Sequence, residues 1–519
     1  MRVVWAVKQA VLKCGSLQLF SIPLFLAVFG MYALTAAPGT LFGDPSEYQF
    51  IPAILGIAHP PGYAFYTLLA KTWQTLVPIG TIAYRTNLLA AATGAWVATF
   101  TYLTVCSLQY AVLGEHSRLA KTPFAPLAAA LALAAATDIW QHSIHANSHI
   151  VSAALATTHL WLLTEWWRTA DDRWLFVFGF TLGLSACHHP VTLIGVPAYG
   201  VFVLAMRPRI WRHWRSVLVA GASAVLGLLP LLYYPLRSPS APFGPTSMRT
   251  WMGFVGHITA SGLRVNLFHF GVADQVDRLR VFWSLLGLQF PLLFTMLLPL
   301  GLFYLIRKLP KPALLLCTFL VLHVAFTMNT VQDVMAYLLL PFVAMAIVAG
   351  VGLLVLVSGV DSIRSFLGTH NCRSLLTTLC LLVFVAMPLL TVARNLRAGI
   401  SLSDFTEAEE WVALLRTRFG GRGEHAVLLS DWEHLTPLWV HRYTQADGLS
   451  ESDLVPVYVS TSNPWVDSVW ANIEEGPIYL PGYRPAVRDA GFRLVPEDGL
   501  YRVVAPSVMD AVPDYPLDV

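Results

Sequence analysis

The chain reads as an α-helical, polytopic membrane protein with a small C-terminal α/β unit. Three observations predict this. The residues are 56% hydrophobic and 12% charged, with a mean hydropathy of +0.60, whereas soluble domains average about 25% charged residues. Apolar runs, many of them near the roughly 20 residues that cross a bilayer, recur between residues 17 and 393. Charged residues become frequent only from about residue 394.

The N-terminus is basic and then apolar, as in a signal peptide. Its apolar run of about 20 residues is longer than an ordinary signal core, so it is expected to be a first, uncleaved span. Eleven spans are expected, near 17–37, 84–108, 122–138, 148–165, 174–188, 190–206, 216–234, 281–305, 312–329, 334–357 and 375–393. The pair flanking Cys187, His188, His189 and Pro190 has the length of two short spans meeting at a tight turn.

Basic residues set the orientation. Arg2, Lys8 and Lys13 precede the first span, and alternate loops hold Arg118 and Lys121, Arg168 and Arg173, Arg207 to Arg215, Arg307 to Lys311, and Arg364 and Arg373. The opposite short loops near 138–147, 188–190 and 330–333 hold no Lys or Arg. The N-terminus is therefore expected in the cytoplasm. With an odd number of spans, the C-terminal unit is expected outside an inner cell membrane.

Two domains follow: a membrane domain over 1–393, with long outer loops at 38–83 and 235–280, and a soluble α/β domain over 394–519. Apolar pieces in the two loops are too short to span, which suggests helices lying on the membrane surface. In the C-terminal part FTEAEEWVALLRTRF is an amphipathic helix, HLTPLWVHRYTQ is a second helix, and AVLLS, LVPVYVS, GPIYL and GLYRVVA read as strands. Such alternation suggests a small parallel or mixed sheet. The net charge of +3 gives no reason to expect nucleic acid. Six scattered cysteines, Cys14, Cys106, Cys187, Cys317, Cys372 and Cys380, show no CxxC pair, which argues against a zinc site or a disulfide framework.

Candidate chemistry collects at the outer margin. Asp44 and Glu47 stand where the chain leaves the first span, and His59-Pro60-Pro61-Gly62-Tyr63 follows. Carboxylates at membrane margins line cavities or meet partners, and Pro-Pro-Gly stops a helix and sets a turn. The same margin is expected to hold Asp138, His142, His145 and His149, then His188 and His189, Arg237, and Asp333 and Tyr337. Outer loops are wet and carry polar residues in any case, so no single one of these is decisive. His142, His145 and His149 are spaced i, i+3, i+7 and would share a face if one helix ran through them. Asn147-Ser148, however, looks like a helix start. His159 and His323 lie inside spans and are expected to hydrogen-bond between helices. Arg237 suits a phosphate by bidentate hydrogen bonding, or a lipid headgroup. No motif calls for a cofactor, and a divalent cation is left open.

GDPSEYQFIPAILGIAHPPGYAFY resembles the opening motif of a large membrane-protein family that reads GDSGEF, then apolar residues, then HPPGYPLY. That family is related to the protein O-mannosyltransferases and has the GT-C glycosyltransferase architecture. The resemblance continues at GLSACHHPVTL, where His189 matches the family's His and His188 replaces its Asn, at YYPLRSPSAP, and at VMAYLLLPFVAMAIVAGVG. Ser46-Glu47 after Pro45 departs from the family's Gly-Glu.

The resemblance implies an inverting transfer of a sugar, a mannose-like hexose favoured, from a polyprenyl-phosphate donor to a hydroxyl on a protein or glycan, at the outer face of the lipid bilayer. Asp44 matches the acid that serves as general base. Glu47, His59, Tyr63, His188, His189, Arg237, Asp333 and Tyr337 are the expected substrate- and donor-binding residues. The alternative is a transporter or flippase for a lipid-linked substrate. It calls for ionisable residues deep in the spans, whereas the charges here lie at span ends. A C-terminal binding unit that uses the bundle only as an anchor would not need so many spans.

Overall fold

The structure, a computed structural model, describes residues 16–114, 119–331, 333–367, 373–421, 423 and 425–505. Arg2, Lys8, Lys13, Cys14, Arg118 and Cys372 lie outside the described residues. The chain divides into two compact units. One comprises 1–37, 55–80 and 85–404, and the other 38–54, 81–84 and 405–519.

The first unit is helical. In chain order, among the longer helices of the whole chain, α1 is Ser21–Thr35, α2 Asp44–Ile54, α3 Ala64–Leu76, α4 Ile82–Leu113, α5 Phe124–Ala135, α6 Ser148–Thr169, α7 Asp172–Ala186, α8 Val196–Met206 and α9 Trp214–Gly227. Then come α10 Trp251–Ile258, α11 Gln275–Gln289, α12 Leu297–Lys308, α13 Pro310–Met328, α14 Val334–Leu367 and α15 Arg373–Arg397. All but α2 belong mainly to this first unit. The eleven expected apolar segments lie mostly on helix.

Among the described residues, five helical stretches are long and apolar enough to cross a membrane: Leu17–Thr35, Ile82–Leu113, Ile210–Ser240, Pro310–Met328 and Val334–Gly359. The segment expected as one span over 281–305 is broken. Val272–Gln289 and Leu292–Lys308 meet at 114°, because Pro291 follows the α11 terminus and cannot continue its hydrogen bonding.

Packing explains which helices lie inside. α14 is buried along most of its length, with Phe342, Val343, Ala346, Ile347 and Val351 shielded from solvent. α9 exposes Val217, Leu218, Val219, Val225 and Leu226, a surface suited to lipid. Two helix pairs meet backbone to backbone at glycine. A methyl on Gly183 of α7 would lie 2.1 Å from the Ala224 carbonyl oxygen of α9, and one on Gly301 of α12 would lie 2.0 Å from the Val348 carbonyl oxygen of α14. Small residues at such crossings let apolar helices approach closely.

The second unit holds α2, the amphipathic α16 (Glu407–Phe419) and a five-stranded mixed sheet. β1 (Ala426–Ser430) leads into α17 (Trp432–Thr444), followed by β2 (Leu454–Tyr458), α18 (Trp465–Asn472), β3 (Ile478–Leu480), β4 (Arg493–Glu497) and β5 (Leu500–Val504). The strand order is β2-β1-β3-β5-β4. β1 runs parallel to β2 and β3, while β5 runs antiparallel to β3 and β4. Central β1 is buried throughout, which is why it reads as a continuous apolar run. Val427, Leu429, Val469, Ile478, Leu480, Val487 and Phe492 form the core. RLVPE, which becomes β4, was not among the expected strands. Its Pro496 and partial exposure mark an edge strand.

Candidate active site

In the second unit, the segment 38–54 is built onto α16 and α17. Gly43 takes φ +72°, and its N–H donates to the Glu433 carbonyl at 3.2 Å. α2 starts at the next residue, placing Asp44 and Glu47 in its first turn, where the helix dipole favours negative charge. The preceding loop wraps back on that turn. The Leu41 N–H donates to Ser46 Oγ at 3.1 Å, and Gln49 Nε2 donates to the Gly39 carbonyl at 3.3 Å. Phe50 stacks on Tyr443 at 5.7 Å and packs on Trp439 at 6.2 Å, fixing α2 against α17. Asp44 is exposed and accepts a 2.7 Å hydrogen bond from the Trp432 indole N–H. Glu47 is fully buried.

In the first unit, aromatic and imidazole rings gather around Tyr63. Gly62 (φ +87°) closes the Pro-Pro-Gly turn, and Tyr63, also left-handed at φ 53°, starts α3. The Tyr63 hydroxyl lies 3.4 Å from His59 Nε2. Its ring stacks on His189 at 5.6 Å and meets His188 at 6.1 Å. His188 follows the end of α7 and places Nε2 2.8 Å from the Ser148 carbonyl. His189 caps the turn into α8, where its Nδ1 accepts from the Val191 N–H at 3.0 Å. Tyr337 of α14 faces His189 at 5.8 Å.

His59, Tyr63, His188, His189 and Tyr337 therefore come together in this unit. Two further histidines join them. His149, at the start of α6, lies 5.2 Å from His189 and 5.6 Å from Tyr337. His257 of α10 is buried against Tyr234 at 5.9 Å, and a methyl on Gly62 would lie 2.6 Å from its Nε2. Burial pushes His257 down to about 4, and the nearby His59 adds to the shift. Nδ1 of His149, Nδ1 of His188 and Nε2 of His257 are buried without a hydrogen-bond partner, so this cluster retains polar atoms that a ligand or water would satisfy. His257 lies in an apolar loop stretch and carries no local sequence signal.

The other expected residues take different places. Arg237 donates from Nε to the Leu55 carbonyl at 2.7 Å and from Nη1 to Ser240 Oγ at 3.3 Å. Asp333 is exposed with φ +53°, and its carbonyl accepts from the Tyr337 N–H at 2.9 Å. His142, His145 and His149 do not share a helix face. A short helix ends at Gln141, and Asn147 caps α6 by accepting from the His149 and Ile150 N–H groups. His142 reaches back to the Asp138 carbonyl at 2.8 Å, 6.2 Å from the His145 ring. His159 lies 3.3 Å from the Tyr199 hydroxyl of α8, whereas His323 contacts the Phe319 carbonyl of its own helix.

A family model described as the protein O-mannosyl-transferase TMEM260 N-terminal domain matches residues 44–212. A 228-residue stretch is 31% identical to the protein O-mannosyl-transferase TMEM260 of Mus musculus, covering 42% of this chain and 30% of that protein. A 255-residue stretch is 24% identical to protein O-mannosyl-transferase tmem260 of Dictyostelium discoideum, covering 45% of this chain and 29% of that one. The matched stretch thus spans less than a third of the length of these curated relatives. The fold is similar to that of ArnT from Cupriavidus metallidurans bound to undecaprenyl phosphate, with TM-score 0.59 and 15% identity over 95% of this chain and 99% of ArnT. It is also similar to an oligosaccharyltransferase from Archaeoglobus fulgidus, with TM-score 0.53 and 14% identity over 90% of this chain and 69% of that one.

Proposed function

We propose that this multi-pass membrane protein, which resembles the GT-C fold, is an inverting glycosyltransferase. It moves a mannose-like hexose from a polyprenyl-phosphate donor to a hydroxyl on a protein or glycan. The family match begins at Asp44 itself, and that observation carries the reading. In this reading Asp44 is the general base. A hydroxyl is a poor nucleophile, and a positioned carboxylate takes its proton as the new glycosidic bond forms. The bond from the anomeric carbon to the phosphate oxygen breaks, and polyprenyl phosphate leaves as an anion. One in-line displacement inverts the anomeric centre, by the logic of inverting hydrolases.

His189 and Arg237 are assigned to the donor phosphate, with His188, Tyr337 and Asp333 beside the donor. Glu47, His59 and Tyr63 are assigned to shaping the acceptor and donor positions. His189 supports the donor assignment: its Nδ1 accepts from the Val191 N–H, so its proton sits on Nε2, where it can donate to a phosphate without placing charge in an apolar bundle. Eleven crossings, a cytoplasmic N-terminus and an extracytoplasmic C-terminal domain over 394–519 complete the proposal, and the Lys/Arg asymmetry of the loops supports that orientation.

The test uses full-length protein in lipid nanodiscs with radiolabelled polyprenyl-phosphate mannose and a Ser/Thr-rich acceptor protein. Transfer by the wild type and none by Asp44→Asn is expected. Unchanged transfer by Asp44→Asn removes the base assignment.

A further inference from the structure

Within the second unit, α17 does more to Asp44 than pack against its helix. Trp432 and Glu433 are consecutive at the start of α17, and both approach the Gly43-Asp44 dipeptide. The Trp432 indole N–H donates to Asp44 Oδ1 at 2.7 Å. That indole is held by edge contacts with Trp439 and Tyr458, each at 5.5 Å, from α17 and β2. Glu433 meets the same dipeptide at Gly43. Its backbone carbonyl takes the Gly43 N–H, and its carboxylate packs where a Gly43 methyl would sit, 2.4 Å from that position.

We propose that Trp432 and Glu433 are positioning residues for Asp44, the indole N–H orienting its carboxylate and Glu433 holding the backbone that carries it. This deepens the reading of Asp44 as the base and rests on it. The physics has two signs. A hydrogen bond to the ionised form lowers a carboxyl's proton affinity, and a like charge nearby raises it. The like-charge effect is visible on Glu433, which burial holds above the usual carboxylate range, with the charges of Asp44 and Asp431 adding to the shift and His434 opposing it. Asp431 pairs with Arg484 at 2.9 Å and with His434 at 2.6 Å, while buried Glu47 of the Asp44 helix brings a carboxylate oxygen within 4.8 Å of Asp44's and is the same in the Trp432 and Glu433 variants. Trp432 and Glu433 are therefore the two α17 groups presented to Asp44.

The experiment measures kcat/KM against pH for full-length protein in nanodiscs, using radiolabelled polyprenyl-phosphate mannose, for the wild type, Trp432→Phe, Glu433→Gln and Asp44→Asn. Trp432→Phe keeps the ring and removes the donor. It is expected to move the acid limb up and to lower kcat about tenfold with donor KM unchanged. Glu433→Gln is expected to move the same limb down. Opposite shifts are the signature, because a purely structural loss at either residue lowers the plateau without moving the limb. If Asp44→Asn is inactive but neither limb moves, the positioning proposal falls and the base assignment stands. If Asp44→Asn is active, both fall. Should Trp432→Phe melt early, Glu433→Gln decides alone, and an unmoved limb there overturns the proposal.

Discussion

The Glu409 carboxylate accepts both the backbone N–H and the hydroxyl of Thr40, each at 2.9 Å. Its second oxygen lies 2.9 Å from Nε2 of buried His441, whose Nδ1 lies 2.7 Å from Asp447. A methyl on Gly39 would lie 2.4 Å from Glu409, so the loop before Asp44 is seated directly on this carboxylate.

This clasp predicts a stability optimum in pH. Burial opposes the charge on Glu409, but hydrogen bonds from His441 and Thr40 hold it down at about 2, against an ordinary value of 4.5. Its contribution is present above pH 4.5 and is lost as pH falls toward 2. Burial likewise opposes protonation of His441, but its bonds to Glu409 and Asp447 raise it above the ordinary 6.5. That contribution is present below pH 6.5 and is lost as pH rises through the raised value. Thermal unfolding of the second unit is therefore expected to be most resistant between about pH 4.5 and 6.5. His441→Ala, which leaves Glu409 and Asp447 without their shared cation, is expected to remove the alkaline fall and cost about 2 kcal/mol. An alkaline limb unchanged in His441→Ala would refute the assignment.

Asp44→Asn separates chemistry from folding. The side chain is exposed and its amide oxygen can still accept from Trp432. The melting temperature is expected to stay within a few degrees of wild type, while transfer falls by about a thousandfold or more.

The Pro-Pro-Gly turn should not tolerate a side chain at Gly62. Its φ of +87° is left-handed, and a methyl would lie 2.6 Å from both the His257 Nε2 and the Tyr234 hydroxyl. Backbone strain and displacement of two buried rings together are expected to cost Gly62→Ala about 2 kcal/mol. Thermal unfolding in detergent measures this, and a stability equal to wild type would show that the turn relaxes.

The α7–α9 crossing gives a matched pair of variants. Gly183→Val places a branched side chain against the Ala224 carbonyl and Gly227 backbone, with an expected loss of about 2 kcal/mol or more. Gly221→Val, on α9, has open space around it and is expected to be near neutral. Equal melting temperatures for the two would rule out close packing at this crossing.

Much of the fold was legible because its signals are local. Apolar runs mark the long helices of the first unit, and short apolar runs, rich in valine over LVPVYVS, mark the strands there and over AVLLS. Pro291 was visible too, but a single proline inside an apolar run did not reveal a 114° bend, since many membrane helices absorb a proline with a smaller kink. The motif from Asp44 to Tyr63 drew attention to the acid and to the ring cluster's first two members. His257 stayed hidden because its burial depends on Tyr234 and Gly62, which are remote in sequence. The Asn147-Ser148 helix start that the sequence offered is the one that separates His142 and His145 from His149.

Sequence alone determined that this is a helical membrane chain with a small α/β unit, and that Asp44 deserves first suspicion. Hydrophobic length, side-chain alternation and a short motif are all properties of neighbouring residues. Only the tertiary structure decided that 38–54 folds with the C-terminal unit, and that Trp432 is the residue that meets Asp44. Those contacts join positions 388 residues apart. The hydrogen bonds and ring packing behind them exist only once α2 and α17 lie against each other.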